Sequence, residues 1–390
     1  MAPIRVGIIG LSANSFSSWG ATSHLPYLIS DRGQKNYEIT ALLNSSTGAA
    51  VSAREHFKLP SSVNTYGAPE DLASDPNVDL VVCVTFVGHH FKTLAPSLAA
   101  GKRTFVEWPL VTSLADTKTL QMLASSPDVL ENSIIGLQGR ISPAIRKLGE
   151  LLSGGNIGSV LSSDVNAVVK LLPVPEGTLP EPAAFMADKT KGANMVTVGY
   201  GHTIDYIHAV LGEWDTVWAR TQVQRAELTL LGADPQRSVI SNVPDLIVVH
   251  GTVRGKDYVS DDATLSVNWR SGLPFKGDPA LVWNIRGEKG EVQLVSHSSP
   301  LIGAEVSDEA ITLKVQLYDT DEVEVMSWSW EGWQTTLPVI SRNTAALYDE
   351  YAAWARDEFK ESSKGATLAT LNDAAVRMRD IDDLLFPLTK

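Results

Sequence analysis

The feature that most constrains the fold is an alternation of short apolar runs with helical patterns across the first 140 residues of a 390-residue chain. The runs are Ile4–Ile9, Tyr37–Leu43, Val78–Thr85, Arg103–Glu107 and Ser133–Leu137. They are nearly continuous in apolar residues, as strands buried on both faces must be. Ala49–Phe57 and His89–Ala100 carry helical spacing, and Gly101 is placed to end the second helix in the left-handed conformation. Strands that alternate with helices specify a doubly wound parallel sheet.

Beyond Pro143 a helix over Ala144–Leu152 stops at Gly154-Gly155, and the pattern changes. Runs rich in Thr, Val and Trp follow one another: Ser159–Val169, Thr216–Gln224, Leu246–Val253, Ala263–Trp269, Leu281–Arg286 and Val323–Trp330. Consecutive strands with few helices imply a large, mainly antiparallel open sheet. One helix, His202–Leu211, interrupts it, and the proline-rich stretch Leu171–Pro182 reads as a loop. Two amphipathic helices close the chain, separated by Gly365. Leu347, Tyr351, Trp354 and Phe359 share a face of the first, and Ala374, Met378, Ile381 and Leu385 a face of the second. The expected organisation is therefore a first domain over 1–140, a second over 141–342, and 343–390 packing back on the first domain or the junction.

Composition narrows the partners. With 44% hydrophobic and 20% charged residues the chain is globular. A formal net charge of −13 disfavours direct nucleic-acid binding, since the surface repels phosphate backbones. The single cysteine, Cys83, allows no internal disulfide framework or cysteine-based zinc cluster. No apolar run reaches membrane-spanning length, and the start lacks the charged and apolar regions of a secretion signal. The expectation is a cytoplasmic protein, or a nuclear one if it regulates transcription. His89 and His90 point in different directions on their helix, and no ligand spacing suggests a metal.

The first strand runs into Gly10-Leu11-Ser12 and then a long serine-rich turn, Ser15 to Gly20. A Rossmann fingerprint asks for Gly-x-Gly-x-x-Gly here, so that backbone can approach a pyrophosphate at a helix N-terminus. Gly10 fits the first position and Ser12 replaces the second glycine. At the end of the second strand Asn44-Ser45-Ser46 stand where an acid would hold the ribose 2′-hydroxyl and repel a 2′-phosphate. The missing acid leans the reading towards NADP over NAD, although no Arg or Lys adjoins these residues.

Several separated motifs resemble the glucose–fructose oxidoreductase/inositol dehydrogenase/rhizopine catabolism (Gfo/Idh/MocA) family. They are Asp79–Thr85 followed by His90, Gly101-Lys102, Glu107-Trp108-Pro109, Leu137-Gln138-Gly139-Arg140-x-Ser142-Pro143, Gly155-x-Ile157-Gly158 and Tyr200-Gly201-His202-Thr203-Ile204-Asp205. The likeness is strongest to the fungal branch that contains a galactose-pathway regulator. The resemblance implies cofactor contacts at Thr85, His90, Glu107 and Trp108, a proton-handling role for His202, and dimerisation through the open sheet face. It also exposes two departures. The family's catalytic lysine in Glu-Lys-Pro is Trp108 here, and indole cannot do acid–base work. Its Asp-x-x-x-His carboxylate falls on Val198. Tyr200, Lys191 and Lys189 are the replacement candidates, while Asp205 could orient His202 or cap the helix. The Trp328-x-Trp330-x-x-Trp333 cluster reads as sheet-face packing, a dimer surface or a pocket lining.

Two functions follow. One is an NAD(P)-dependent oxidoreductase for a carbohydrate-like or other small polar carbonyl/hydroxyl substrate, with a redox-neutral enzyme as a variant. The other is a non-catalytic, dinucleotide-binding regulator with a protein partner. The loss of the lysine and the aspartate favours the regulator; the −13 charge weighs against an acidic partner.

Overall fold

A computed structural model describes residues 2–12, 18–302, 311–361, 364 and 368–387. The chain divides into two compact units: Met1–Leu137 with Gly332–Asp380, and Gln138–Glu331 with Ile381–Lys390.

The first unit is built on a six-stranded parallel sheet. Its strands are β1 (Ile4–Ile9), β2 (Tyr37–Leu43), β3 (Asn64–Tyr66), β4 (Leu80–Cys83), β5 (Arg103–Val106) and β6 (Ile134–Ile135). The helices between them are α1 (Leu25–Leu28), α2 (Gly33–Asn36), α3 (Thr47–His56), α4 (Pro69–Ser74), α5 (Val87–Ala99), α6 (Leu114–Leu123) and α7 (Pro127–Glu131). Strand order is β3-β2-β1-β4-β5-β6, so the winding reverses between β1 and β4. Such a reversal opens a crevice at the carboxyl ends of the strands. Residues of β1 and β4 such as Val6, Ile8, Val81 and Val82 are almost wholly buried. Gly101 takes φ +78. Lys102, beside it, donates Nζ to the carbonyls of Asp75 (2.7 Å) and Val78 (2.8 Å). The Gly-Lys pair is thus a brace for the loop that feeds β4.

The second unit begins with α8 (Pro143–Ser153) and holds α9 (Gly201–Leu211). Its strands are β7 (Val160–Val169), β8 (Thr178–Pro180), β9 (Glu213–Gln222), β10 (Glu227–Leu231), β11 (Ser238–Ile240), β12 (Leu246–Arg254), β13 (Val259–Ser271), β14 (Leu281–Gly287), β15 (Gly290–Ser296), β16 (Ile311–Leu317) and β17 (Val323–Val325). Eight of them form one sheet, in the order β17-β16-β15-β14-β7-β13-β12-β9. Only β7 and β13 run parallel in it. The alternation along β13 buries Leu265, Val267 and Trp269 and exposes Thr264, Ser266 and Asn268. A small sheet, β11-β10-β8, is separate, and β8 lies inside the stretch expected to be pure loop.

Two helices follow at the end of the chain, α10 (Val339–Arg356) and α11 (Leu371–Leu385). Within the first unit α10 packs on a π-helical turn, Gly20–His24, that follows β1. The contact is polar as well as apolar: Ser23 Oγ lies 2.7 Å from Thr344 Oγ1, and His24 Nδ1 lies 2.9 Å from the Tyr348 hydroxyl.

Three sequence expectations need correction. The run Val323–Trp330 is a strand only to Val325, and Trp328 sits in irregular chain, donating its indole N–H to the Ile311 carbonyl at 3.2 Å. Trp328 and Trp330 meet edge-on at 6.3 Å, and Trp333 belongs to the first unit, where Arg32 lies over its ring. Phe359 lies beyond the end of α10, because Glu358 and Phe359 take positive φ (55 and 58) and turn the chain back. Its ring reaches Tyr351 and Trp354 all the same, at 5.7 and 5.0 Å.

Candidate functional site

A cavity of about 790 Å³ opens in the first unit at the point where the sheet winding reverses. Gly10 and Ser12 line it from the end of β1, Asn44 and Ser45 from β2, and Thr85 from β4. Gly10 takes φ +91, and a Cβ there would stand 2.3 Å from Thr85 Cγ2. Only glycine lets these strand ends meet. Across the cavity Ser46 caps α3, its Oγ accepting from the Ala49 N–H at 3.1 Å. Gly67 lies so near that a Cβ would stand 2.7 Å from the Thr47 nitrogen. This places the α3 N-terminus, with its unspent N–H groups and positive dipole end, on an approachable wall.

Sequence reading missed the wall residues that come from helices. Ser52, Ala53 and His56 come from α3, and His89, Lys92 and Thr93 from α5. Each set follows helical spacing, and a stripe of small and basic residues on the α3 and α5 faces was the available signal. Among the described residues no Asp or Glu lines the cavity, although the chain carries a formal charge of −13. The lining suits an anionic ligand.

Asn44 is positioned with unusual economy. Its Nδ2 donates to the carbonyls of Leu11 (3.0 Å) and Ala49 (3.3 Å), which fixes the amide orientation because a flipped oxygen would face two acceptors. Its Oδ1 has no hydrogen-bond partner.

Ser46, which the strand-end reading placed at the cofactor, and His90, Glu107 and Trp108, which the resemblance placed there, are not on this cavity wall. Ser46 acts as the helix cap. His90 is buried behind Thr85, with Nε2 2.9 Å from the Thr85 carbonyl. Glu107 pairs with His24 at 2.8 Å and rests on Gly136, where a Cβ would collide with its carboxylate. Trp108 is buried, 6% exposed, in a cis peptide with Pro109. Residues 13–17, which include Ser15 and Ser17 of the serine-rich turn, lie outside the described residues.

In the second unit a π-helical turn, Met195–Tyr200, leads into α9. Asn194 caps it, its Oδ1 accepting from the Val196 and Thr197 N–H groups. The wider turn shifts the register, so the position one turn before His202 falls between Thr197 and Val198. Neither carries a carboxylate. His202 is half-buried in the first turn of α9. Asp205 is engaged by Arg140, which donates Nε and Nη2 to its two oxygens at 2.7 and 2.6 Å with both side chains buried. That fork accounts for Arg140 of the Gly-Arg motif and assigns Asp205 a structural partner that sequence reading missed. Tyr200 is 1% exposed and meets Trp269 edge-on at 6.0 Å. Lys191 is exposed, whereas Lys189 donates Nζ to the Leu385 carbonyl at 2.8 Å and lies over the Phe386 ring.

Comparison with known proteins agrees with this architecture. Residues 4–131 match the oxidoreductase family with an NAD-binding Rossmann fold, and residues 143–296 match the Gal80p C-terminal domain. The first match is to a Gfo/Idh/MocA model and the second to a Gal80p one, and the two cover successive parts of the chain. Its similarity to the dehydrogenase aclE of Aspergillus oryzae is 29% identity over 98% of this chain and 95% of that protein. With the galactose/lactose metabolism regulatory protein GAL80 of Saccharomyces cerevisiae it is 28% identical over 75% of this chain and 67% of that one. Among solved structures, a super-repressor mutant of Gal80p from Saccharomyces cerevisiae superposes with a TM-score of 0.79 at 23% identity, covering 98% of this chain and 95% of that one. Levoglucosan dehydrogenase in complex with NADH and levoglucosan gives 0.71 at 15%, over 98% and 96%. At these identities the structural likeness shows the fold alone. The proteins this chain is similar to thus include both dehydrogenases and a regulator.

Proposed function

We propose that this protein binds a nicotinamide dinucleotide in the first-unit cavity and uses it as an oxidoreductase on a carbohydrate-like or small polar carbonyl/hydroxyl substrate. The observation that carries this reading is the acid-free cavity at the sheet reversal, with Gly10 giving close backbone approach and α3 offering its N-terminus. Gly10, Ser12, Ser45 and the α3 N-terminus would hold the pyrophosphate and ribose. When bound, the nicotinamide supplies the hydride chemistry. The choice of nucleotide rests on the missing acid at Asn44-Ser45-Ser46, which leans the reading towards NADP(H); Asn44 itself is committed internally, its Nδ2 spent on two carbonyls and its Oδ1 buried. Proton handling is assigned to His202 on the family resemblance, with Lys191 and Tyr200 behind it; the burial of Tyr200 weakens its claim.

A second reading is kept because Trp108 has no titratable group: a dinucleotide-binding regulator that performs no turnover. Under either reading the second-unit sheet, with Thr264, Ser266 and Asn268 outward, is the proposed homodimer face. The compartment is proposed to be the cytoplasm, or the nucleus for a regulator; among the described residues no helix is long and apolar enough to cross a membrane. Fluorescence titration with NADH and NADPH, followed by turnover on sugar and small-carbonyl panels, separates the readings. Binding with turnover supports the enzyme, and binding without turnover on any substrate supports the regulator. No binding of either nucleotide overturns both.

A further inference from the structure

His90 has an environment that neither functional reading uses. Its ring is 1% exposed and meets three backbone carbonyls. Nε2 lies 2.9 Å from the Thr85 oxygen, while Nδ1 lies 3.1 Å from that of Pro109 and 3.0 Å from that of Leu110. Carbonyl oxygens only accept. A neutral imidazole bears an N–H on one nitrogen and a lone pair on the other, so either tautomer points a lone pair at an acceptor. Only the ring with N–H on both nitrogens satisfies all three contacts. The carbonyls belong to two segments: Thr85 is cavity wall, packed on Gly10, and Pro109-Leu110 follow Trp108.

We propose that His90 is a positioning residue that works as an imidazolium, stapling the cavity wall at Thr85 to the Trp108–Leu110 turn. Its effect on nucleotide affinity rests on the dinucleotide reading above; its charge state does not. Burial works against the charge, but Cys83 on β4 and the carbonyl acceptors outweigh it and push the ring up to about 9. Other groups nearby do not compete for it. The turn over residues 108–110 has no titratable side chain, His89 and Lys92 on α5 are exposed, and Asp116 on α6 accepts from Thr112 Oγ1 at 2.9 Å. Because the folded ring holds its proton more tightly than a free histidine, the brace is complete below about pH 6.5 and is lost as pH rises through about 9.

The test uses the full-length, ¹⁵N-labelled protein. At pH 7.5 the imidazole spectrum of His90, assigned by its absence from His90→Gln or, if that variant does not fold, by through-bond correlation, should show both ring nitrogens protonated. A neutral tautomer at that pH overturns the proposal. NADH titrations then read the positioning role. Affinity of the wild type should fall about tenfold between pH 7.5 and 10, the worth of a charged hydrogen bond, whereas His90→Gln should be weaker and flat over that range. A flat wild-type profile refutes the brace. If NADH binds at no pH, the dinucleotide reading falls, and the ring spectrum with the pH dependence of wild-type Tm still decides His90: a Tm insensitive to deprotonation of the ring overturns the staple.

Discussion

Gly10→Ala should destabilise the first unit and weaken dinucleotide binding together, and its size can be worked from the backbone. Gly10 sits at φ +91, which for an L-residue with a Cβ costs about 1–2 kcal/mol. The new methyl would stand 2.3 Å from Thr85 Cγ2 and 3.2 Å from the Thr85 Cα and nitrogen, so rotating the threonine side chain relieves only part of the clash. Overpacking of that kind adds about 1–3 kcal/mol. Taking about 3 kcal/mol in all, a domain of this size loses roughly 6–12 °C of Tm. Gly149→Ala in α8 is the control, because its Cβ meets nothing within 4 Å and φ is not positive there. It should be neutral or stabilise by about 0.5–1 kcal/mol. Thermal and urea unfolding measure both, and NADH fluorescence titration should show at least a tenfold loss for Gly10→Ala. A Gly10→Ala protein within about 0.5 kcal/mol of wild type, the scatter of ordinary surface changes, would refute the claim that strand end and Thr85 are in enforced contact.

Three other outcomes are expected. Arg140→Met leaves the buried Asp205 carboxylate uncompensated and should cost about 3–5 kcal/mol in urea unfolding, while Arg140→Met with Asp205→Leu should recover most of it; equal losses in both would argue against the ion pair. Burial pushes the Asp75 carboxyl up, but the Asn77 N–H, the Asn64 amide, the Tyr66 hydroxyl and Lys102 hold it below the usual range, so its contribution is present above about pH 4 and fades as pH falls. The Tm gap between wild type and Asp75→Asn should therefore narrow from pH 6 to pH 3, and a constant gap would contradict it. Ser45→Asp, which adds a carboxylate to the cavity lining without disturbing the Asn44 hydrogen bonds, should weaken NADPH binding by tenfold or more and NADH binding less; undiminished NADPH affinity would remove Ser45 from the ribose site.

The fold was legible because buried parallel strands announce themselves. Ile4–Ile9 and Tyr37–Leu43 have the bounds read from the sequence, since each is apolar nearly throughout. The shorter strands were overextended. Ser133–Leu137 reduces to Ile134–Ile135, an edge strand where apolar content marks burial and not pairing. β3, β8, β10, β11, β15 and β16 went unread, although β16 alternates strictly from Ile311 to Leu317, the pattern of a half-buried strand. In the site, Gly10, Ser12, Asn44, Ser45 and Thr85 line the cavity, and the sequence could single them out because each lies just past the end of a strand. The α3 and α5 contributions were missed because they depend on which helix face turns inward, and a mixed stripe such as Ser52, Ala53 and His56 has no strong hydrophobic period. The Asp205–Arg140 fork joins residues 65 apart, and nothing local to either announces the other.

The division between nucleotide binding and catalysis has a physical cause. The proposed cofactor site draws on a glycine at positive φ, a helix N-terminus and the end of a strand, which are backbone features that tolerate changes such as serine for the second fingerprint glycine. Acid–base chemistry draws on single side chains and is erased by one substitution. Trp108 and the carboxylate-free turn at Thr197-Val198 remove two such side chains without disturbing the strands that carry Gly10 and Thr85. Cofactor affinity alone therefore cannot separate dehydrogenase from regulator in this scaffold, because both need the same backbone. Turnover can, and within turnover His202 is the side chain to replace. If His202→Ala keeps nucleotide affinity but abolishes a detected activity, the proton role stays with the one family group that remains. If activity survives, proton transfer runs through a group outside the family pattern.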